Sequence, residues 1–296
     1  MEKRTLGKTG LQVTVLGYGA MAVRRDISDD DADRVLNAVL DAGINFIDTA
    51  PDYGRSEDHI GRAISHRRDE YYLATKCGCN VGPDGSQLGD ETHIWTRVQF
   101  MKNIENSLAL LKTDHVDIWQ PHNPSTEQFD EGELLEAMQE AKRQGKVRHI
   151  GISSTLPDIK TYIDRGVLET YQIPYSVLGR NEENSITAAA KSGAGTIIRG
   201  GVAKGVPDGP LGESQRWAAW ERAGLDDLRG DDESRSAFVL RFTIAHPHLH
   251  TTIVGTRNIE HLAENLKAVE AGPLPEGVCA ELKRRMDGVG FTAQVL

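Results

Sequence analysis

Strand patterns and helix patterns alternate along almost the whole chain, and this alternation restricts the fold more than any other feature. Eight short segments rich in β-branched residues predict strands. They are Val13–Leu16, Ile44–Asp48, Tyr71–Lys76, Val116–Gln120, Val147–Ile152, Glu169–Ile173, Gly195–Ile198 and Thr251–Val254. Eight strand–helix units in 296 residues are typical of an α/β protein with the (β/α)₈ TIM-barrel fold. We expect one such domain over residues 1–296.

Helical patterns lie between and after the predicted strands. Ser28 precedes three aspartates, whose charge suits a helix N-terminus, and glycines such as Gly43 and Gly145 stand where helices would end. The predicted helices are Asp29–Asp41, Glu57–Ser65, Trp95–Leu111, Glu133–Gln144, Pro157–Arg165, Glu183–Lys191, Glu233–Ala245 and Ile259–Val269. The opening TLGKTGLQV predicts a β-hairpin, with Lys8-Thr9-Gly10 as its turn, that plugs the N-terminal mouth of the barrel.

Three longer connections interrupt the pattern: Cys77–Ile94, Gly200–Asp232 and the tail from Ala271. The first two follow the third and seventh strands, so we expect them at the C-terminal face of the barrel, where barrel active sites lie. Trp217 and Trp220 stand in the second connection within a short helical pattern. Two interpretations are open for these tryptophans: they cover part of a ligand groove, or they pack against the flank of the barrel.

Charge and composition exclude several classes of partner. The formal net charge of -10 and the lack of any Lys/Arg run argue against binding to nucleic acid. No window has the eighteen or more apolar residues of a membrane span, and the first ten residues lack the apolar region of an export signal. We therefore expect a cytoplasmic protein with reduced cysteines, monomeric by default, whose partner is a small molecule.

Four polar residues are predicted to meet at the C-terminal mouth of the barrel. Asp48 and Lys76 end the second and third predicted strands, His122 follows the fourth, and Tyr53 stands in the loop after Asp48. A phenol with a pKa near 10 is a poor acid at neutral pH. A nearby ammonium stabilises the phenolate, and a carboxylate holds that ammonium in place. The cluster therefore predicts a proton donor with a lowered pKa.

The motifs around these four residues identify a family resemblance over nearly the whole chain. The chain resembles the aldo-keto reductases in LGKTGLQVTVLGYGAM, FIDTAPDYGRSEDHIG, the LATK that ends at Lys76, VDIWQPHNP, GKVRHIGISS and IVGTRNIEHLAENL. The resemblance implies an NADPH-dependent oxidoreductase that reduces an aldehyde or ketone to an alcohol by hydride transfer, with NADH less favoured. It places Asp48, Tyr53, Lys76 and His122 in the catalytic positions. Tyr53 would be the general acid, tuned by Lys76 and Asp48, and His122 would orient the carbonyl.

The resemblance also implies which residues bind the cofactor. Ser153, Ser154 and Gln172 match positions that hold the nicotinamide carboxamide, and Tyr175 matches the aromatic residue on which the ring stacks. The Ser153-Ser154 pair departs from the Ser-Asn of many relatives. Further cofactor positions are Gly19, Ala20, Met21, Asp48, Arg199, Gly200, Gly201, Val202 and Gly205, with Gly255, Thr256, Arg257, His261, Glu264 and Asn265 at the adenosine end. RGGVAKG after the seventh strand departs from the Ser-Pro-Leu of many relatives.

A doubly wound dinucleotide-binding fold is one alternative, because Gly17–Ala22 formally fits a glycine-rich fingerprint and Asp48 ends the next strand. In that fold the helix should begin at the glycines, whereas the capping signal here comes at Ser28. A second alternative keeps the barrel but makes it a cofactor-binding regulatory or sensing protein with little turnover. NADPH oxidation with simple aldehydes would separate that protein from a reductase.

A metal-dependent barrel hydrolase is a third alternative, since histidines occur at positions 59, 93, 115, 122 and 149. His59 falls in a predicted helix, and His115 and His149 begin strands on the opposite barrel face. No His-x-His pair follows the first strand, and Cys77-Gly-Cys79 lacks the spacing of a zinc site. The sequence therefore predicts no metal ligands.

Overall fold

The chain begins with an antiparallel hairpin, β1 (Lys3–Thr5) and β2 (Gln12–Thr14), in a computed structural model that describes residues 1–24, 27–82, 85–203 and 214–296. Its turn is a short 3₁₀ segment that ends at Gly10, whose φ of 74° suits glycine. The buried side chains of Leu6 and Val13 pack with Phe46, Ala74, Ile118 and Ile197. The hairpin therefore closes one end of the barrel, as predicted.

Eight parallel strands form the barrel, and each pairs with its neighbour along the chain until the last pairs with the first. The TIM-barrel prediction is confirmed. The strands are β3 (Leu16–Gly19), β4 (Phe46–Asp48), β5 (Tyr72–Cys77), β6 (Val116–Pro121), β7 (Val147–Ser153), β8 (Thr170–Pro174), β9 (Gly195–Arg199) and β10 (Thr251–Val254).

The boundary of the first predicted strand, Val13–Leu16, is wrong. Val13 and Thr14 pair with β1 in the hairpin, and the barrel strand starts only at Leu16. Val15 joins the two sheets, because its N–H donates to Glu2 while its carbonyl accepts from Thr252. One continuous strand pattern thus serves two sheets, and hydrophobic pattern alone does not reveal the division.

Helices surround the barrel, and most begin within two residues of their predicted positions. They are α1 (Asp29–Asp41), α2 (Ser56–Ala63), α3 (Arg97–Leu111), α4 (Thr126–Glu131), α5 (Leu134–Arg143), α6 (Asp158–Arg165), α7 (Glu183–Lys191), α8 (Ser214–Arg222), α9 (Arg235–Ile244), α10 (Ile259–Glu270) and α11 (Glu276–Gly288). Helices α4 and α11 were not predicted. Among the described residues, no helix is long and apolar enough to cross a membrane.

The two tryptophans of the long connection after β9 are buried in the main hydrophobic cluster. Trp217 is 2% exposed and Trp220 is 0% exposed. Their ring centroids lie 5.5 Å apart, and Trp220 meets Phe238 edge to face at 6.1 Å. The packing interpretation is therefore confirmed for these side chains, and a groove-covering role for them is wrong.

Candidate active site

The four residues singled out at the strand ends lie together at the C-terminal mouth. Asp48 is the last residue of β4, Lys76 lies near the end of β5, and His122 directly follows β6. Tyr53 stands in the connection between β4 and α2. Parallel pairing of β4, β5 and β6 brings these ends side by side.

Lys76 and Asp48 form a buried ion pair at the base of this cluster. Nζ of Lys76 donates to Oδ2 of Asp48 at 2.7 Å and to the carbonyl of Thr49 at 2.9 Å. Oδ1 of Asp48 accepts from Nε2 of Gln172 at 2.7 Å. Burial opposes the charge on Lys76, but the Asp48 carboxylate and the Tyr53 phenol hold the pKa of Lys76 above its ordinary value. Lys76 is therefore an ammonium at neutral pH.

The phenol of Tyr53 stands over this ammonium. Nζ of Lys76 lies 4.8 Å from the centroid of the Tyr53 ring, and the His122 ring lies 6.0 Å from it, edge to face. Burial raises the pKa of Tyr53, and although Lys76 acts in the opposite direction, the net shift is upward. The prediction of a lowered pKa is therefore wrong for this structure, because desolvation outweighs the ammonium. A phenol with a raised pKa keeps its proton at neutral pH and has it available to donate.

His122 is held by a carboxylate that sequence reasoning did not single out. Nδ1 of His122 lies 3.2 Å from Oδ2 of Asp52. Burial tends to raise the pKa of Asp52, but the hydrogen bond and charge of His122 lower it overall, so Asp52 is ionised. With Nδ1 directed to Asp52, Nε2 is the ring nitrogen left to contact a substrate. Asp52 stands inside the quoted motif, one residue before Tyr53, and that position was the available signal.

Three of the predicted cofactor residues lie at neighbouring strand ends around the same mouth. Ser153 ends β7, Gln172 lies in β8, and Arg199 ends β9. Oε1 of Gln172 and Nε of Arg199 are buried without a hydrogen-bond partner. Burial lowers the pKa of Arg199, and the charges of Tyr53 and Asp48 oppose that shift, which places the guanidinium near both groups. Oε1 of Gln172 can accept a hydrogen bond from a polar ligand at this position, and Nε of Arg199 can donate one.

Tyr175 is a correction to the predicted cofactor set. Its side chain is 2% exposed, with its ring stacked on Phe242 at 5.8 Å and in contact with His246 at 5.2 Å. The residue follows β8, and its ring enters the layer between the barrel and α9. Because the side chain is buried in this layer and does not face the open mouth, the stacking role assigned to Tyr175 is wrong.

The glycine-rich segments lie at the ends of β3, β9 and β10. A side chain at Gly255 would overlap the carbonyl oxygen of Gly19, and one at Gly201 would overlap the Thr252 hydroxyl. The structure thus needs glycine at both positions. Around them lie buried Ala20 and Asn265, intermediate Val202, Thr256 and Glu264, and exposed Met21, Gly200, Arg257 and His261. Gly205 lies outside the described residues.

Glu57 is a buried carboxyl whose raised pKa could not be inferred from the sequence. It is 2% exposed, and Oε1 accepts from the Thr75 hydroxyl at 2.6 Å. Burial raises the pKa of Glu57 to about 7. The folded protein therefore binds the Glu57 proton more tightly than the unfolded chain, so this stabilising contribution is complete below the ordinary pKa of 4.5 and is lost as the pH rises to about 7.

We therefore expect Glu57→Gln to become more stable relative to wild type as the pH rises from 4.5 to 7. The amide stays uncharged, so the difference in free energy of unfolding should change by roughly 3 kcal/mol at most over that range. Urea denaturation at several pH values measures it. Glu131→Gln, at an exposed helical position, is the matched control and should show a much smaller change. Parallel pH profiles for wild type and Glu57→Gln would contradict the assignment.

A closed parallel barrel with a buried Lys–Asp pair, a tyrosine and a histidine at its C-terminal mouth defines a TIM-barrel oxidoreductase. The chain belongs to the aldo/keto reductase family, whose family model matches residues 15–286. It is 31% identical to "Uncharacterized oxidoreductase YqkF" of Bacillus subtilis over 93% of this chain and 94% of that protein. It is 32% identical to the NADH-specific methylglyoxal reductase of Escherichia coli, over 63% and 62% of the two chains.

The fold also matches a solved member of the family. The aldo-keto reductase AKR11C1 from Bacillus halodurans, in its holo form, superimposes with a TM-score of 0.84 at 28% identity, over 96% of each chain. The protein is therefore an NAD(P)H-dependent oxidoreductase of the family that interconverts carbonyls and alcohols.

Proposed function

We propose that this protein reduces an aldehyde or ketone with NADPH, and that Tyr53 donates the proton. The observation that carries the proposal is the buried Lys76–Asp48 pair, at 2.7 Å, directly beneath the Tyr53 ring. Burial of a charged pair away from solvent costs free energy. A proton donor in contact with the pair gives a functional reason for that cost.

The groups around the mouth suit a carbonyl that becomes an alkoxide. Hydride arriving at the carbonyl carbon places negative charge on the oxygen, and donors already oriented toward that oxygen stabilise the transition state more than the ground state. Tyr53 donates its proton, and Lys76 stabilises the phenolate that remains. His122 orients the carbonyl, while Asp52 holds the ring through Nδ1.

The residues present fit a nicotinamide cofactor, because Oε1 of Gln172 and Nε of Arg199 are buried without partners where a carboxamide and a ring would lie. Ser153, Ser154 and Gln172 would bind the carboxamide. We assign to Arg199 the stacking role first given to Tyr175, since a planar guanidinium stacks on flat rings. The nicotinamide supplies the hydride when it is bound.

The proposal is tested by NADPH oxidation with a panel of aromatic aldehydes, keto sugars and dicarbonyls. Turnover with at least one class is expected. Tight NADPH binding without turnover on any of them would support the alternative, a barrel that senses or regulates through the cofactor.

We propose that Arg257 binds the adenosine 2′-phosphate, because it lies between β10 and the start of α10. A guanidinium can bond two phosphate oxygens, and the helix N-terminus adds partial positive charge. Arg257→Ala should therefore weaken NADPH binding by about ten- to a hundredfold, the equivalent of losing about 1.5–3 kcal/mol of charge-assisted bonds. NADH binding should hardly change. One relative is named as NADH-specific, so the opposite preference occurs in the family.

Fluorescence titration of wild type and Arg257→Ala with both cofactors measures this difference. Arg284→Ala, an exposed arginine on α11, is the matched control and should leave both affinities unchanged. Equal losses for NADPH and NADH in Arg257→Ala would show that Arg257 does not recognise the 2′-phosphate.

A further inference from the structure

Four side chains from three separate connections meet beside the proposed catalytic site. Asp52 follows β4, Cys79 and His93 lie in the connection after β5, and His122 follows β6. One potential ligand atom from each residue lies within 4.8 Å of all the others. This cluster brings together one carboxylate, one thiol and two imidazoles.

The distances within the cluster are close to those of a tetrahedral zinc site. Zn–N, Zn–O and Zn–S bonds of about 2.0–2.3 Å place neighbouring ligand atoms roughly 3.3–3.7 Å apart. Here Nδ1 of His122 lies 3.2 Å from Oδ2 of Asp52 and 3.7 Å from Sγ of Cys79, and Nε2 of His93 lies 3.9 Å from Oδ2 of Asp52. A shift of about one ångström in the remaining distances would complete the tetrahedron.

Two buried atoms of the cluster residues lack a hydrogen-bond partner, as expected where a ligand is missing. Oδ1 of Asp52 and Nε2 of His93 are buried and have no hydrogen-bond partner, although buried polar atoms are normally satisfied. The His93 ring is already oriented, because it stacks on Trp95 at 5.1 Å with 4° between the ring planes. An open cavity of about 500 Å³ is lined in part by Asp52 and His93.

We propose that this protein binds one Zn²⁺ ion through Asp52, Cys79, His93 and His122. The nitrogen and sulfur donors favour Zn²⁺ over Mg²⁺ and Ca²⁺, which prefer oxygen ligands. On binding, the Cys79 sulfur coordinates as a thiolate and its proton passes to solvent. The ion links the connections that follow β4, β5 and β6 across the mouth of the barrel.

The site is separate from the proposed function in its chemistry, because the reaction proposed for Tyr53 needs no metal, but the two share His122 and Asp52. A zinc ion would take the Nδ1 position on His122 that is now directed to Asp52 and leave Nε2 free. The metal-site proposal can therefore be tested without measuring reductase activity. Its test uses metal binding and spectroscopy.

Cobalt is the spectroscopic probe for the test, with the full-length protein freed of metal by a chelator and its thiols kept reduced. We expect one Co²⁺ per chain, tetrahedral d–d absorption and a sulfur-to-cobalt charge-transfer band, all displaced by Zn²⁺. Cys79→Ser should abolish the charge-transfer band, and His93→Asn should weaken binding by about a hundredfold or more. Cys279→Ser and His115→Asn are the matched controls, because both residues lie outside the cluster, and they should bind as wild type does.

Thermal unfolding gives a second readout that does not depend on the buried Cys79. A hundredfold excess of Zn²⁺ over its Kd should raise the Tm of wild type by about 3–5 °C, since the ion binds only the folded state. His93 is partly exposed, so His93→Asn should fold normally and lose most of this rise. Absence of stoichiometric Co²⁺ binding, or cobalt spectra unchanged in both Cys79→Ser and His93→Asn, would overturn the proposal.

Discussion

Tyr53→Phe should lower kcat by about 100-fold or more, because it removes only the hydroxyl that is proposed to donate the proton. The ring that stands over Lys76, 4.8 Å from Nζ, would remain in place. The ion pair would therefore stay shielded from solvent. Stability and NADPH affinity should change little. Stopped-flow measurement of the hydride-transfer step, under conditions in which chemistry limits the rate, is the decisive assay.

Tyr72→Phe is the matched control for that experiment. Tyr72 begins β5, at the opposite end of the strand from Lys76, so loss of its hydroxyl should leave kcat unchanged. If Tyr53→Phe kept a kcat near that of wild type, another group would have to supply the proton.

Lys76→Met should damage both stability and activity, because it leaves the Asp48 carboxylate buried without its cation. Both side chains of the pair are at most 1% exposed. Removal of one partner of such a pair costs about 3–5 kcal/mol, largely from the uncompensated charge. Urea denaturation should show this loss of stability, and kcat should fall by at least as much as in Tyr53→Phe, since the phenolate loses its stabilising charge.

The double variant Asp48→Asn/Lys76→Met separates the two effects. It removes both charges at once, so it should recover much of the stability that Lys76→Met loses while remaining inactive. Recovery of activity together with stability would mean that the pair serves folding alone and that the phenol of Tyr53 is tuned by another group.

The barrel and the meeting of three of its four mouth residues could be predicted because both follow from topology. Alternation of strands and helices predicts parallel pairing, and parallel pairing places the ends of β4, β5 and β6 side by side. Asp48, Lys76 and His122 are attached to those ends with no intervening loop. Their proximity therefore needs no knowledge of loop conformation.

The remaining differences depend on information that a linear pattern does not carry. The pKa of Tyr53 depends on burial as much as on Lys76, and burial of a loop residue depends on the loops around it. Tyr175 follows a strand end in the same way as the mouth residues, yet its ring enters the helix layer beside Phe242. Strand position alone does not determine the direction of a side chain beyond the last paired residue.

The cluster of Asp52, Cys79, His93 and His122 was missed for a similar reason. Cys79 and His93 are fourteen positions apart in one connection, and an isolated bridge between them brings the two together. Metal-binding motifs with short, fixed spacing reflect the local backbone conformation. This cluster instead forms because separate loops come together in the folded chain. A search for zinc spacings therefore finds nothing here.

The N-terminal hairpin has a consequence for the order of events during turnover. Because Leu6 and Val13 seal one end of the barrel, everything that reaches the site arrives and departs through the opposite mouth. Ser154 and Gln172 are at most 2% exposed, whereas the side chain of His122 is 20% exposed. If the nicotinamide takes the deeper position, as proposed, we expect an ordered mechanism in which the cofactor binds before the carbonyl and leaves after the alcohol.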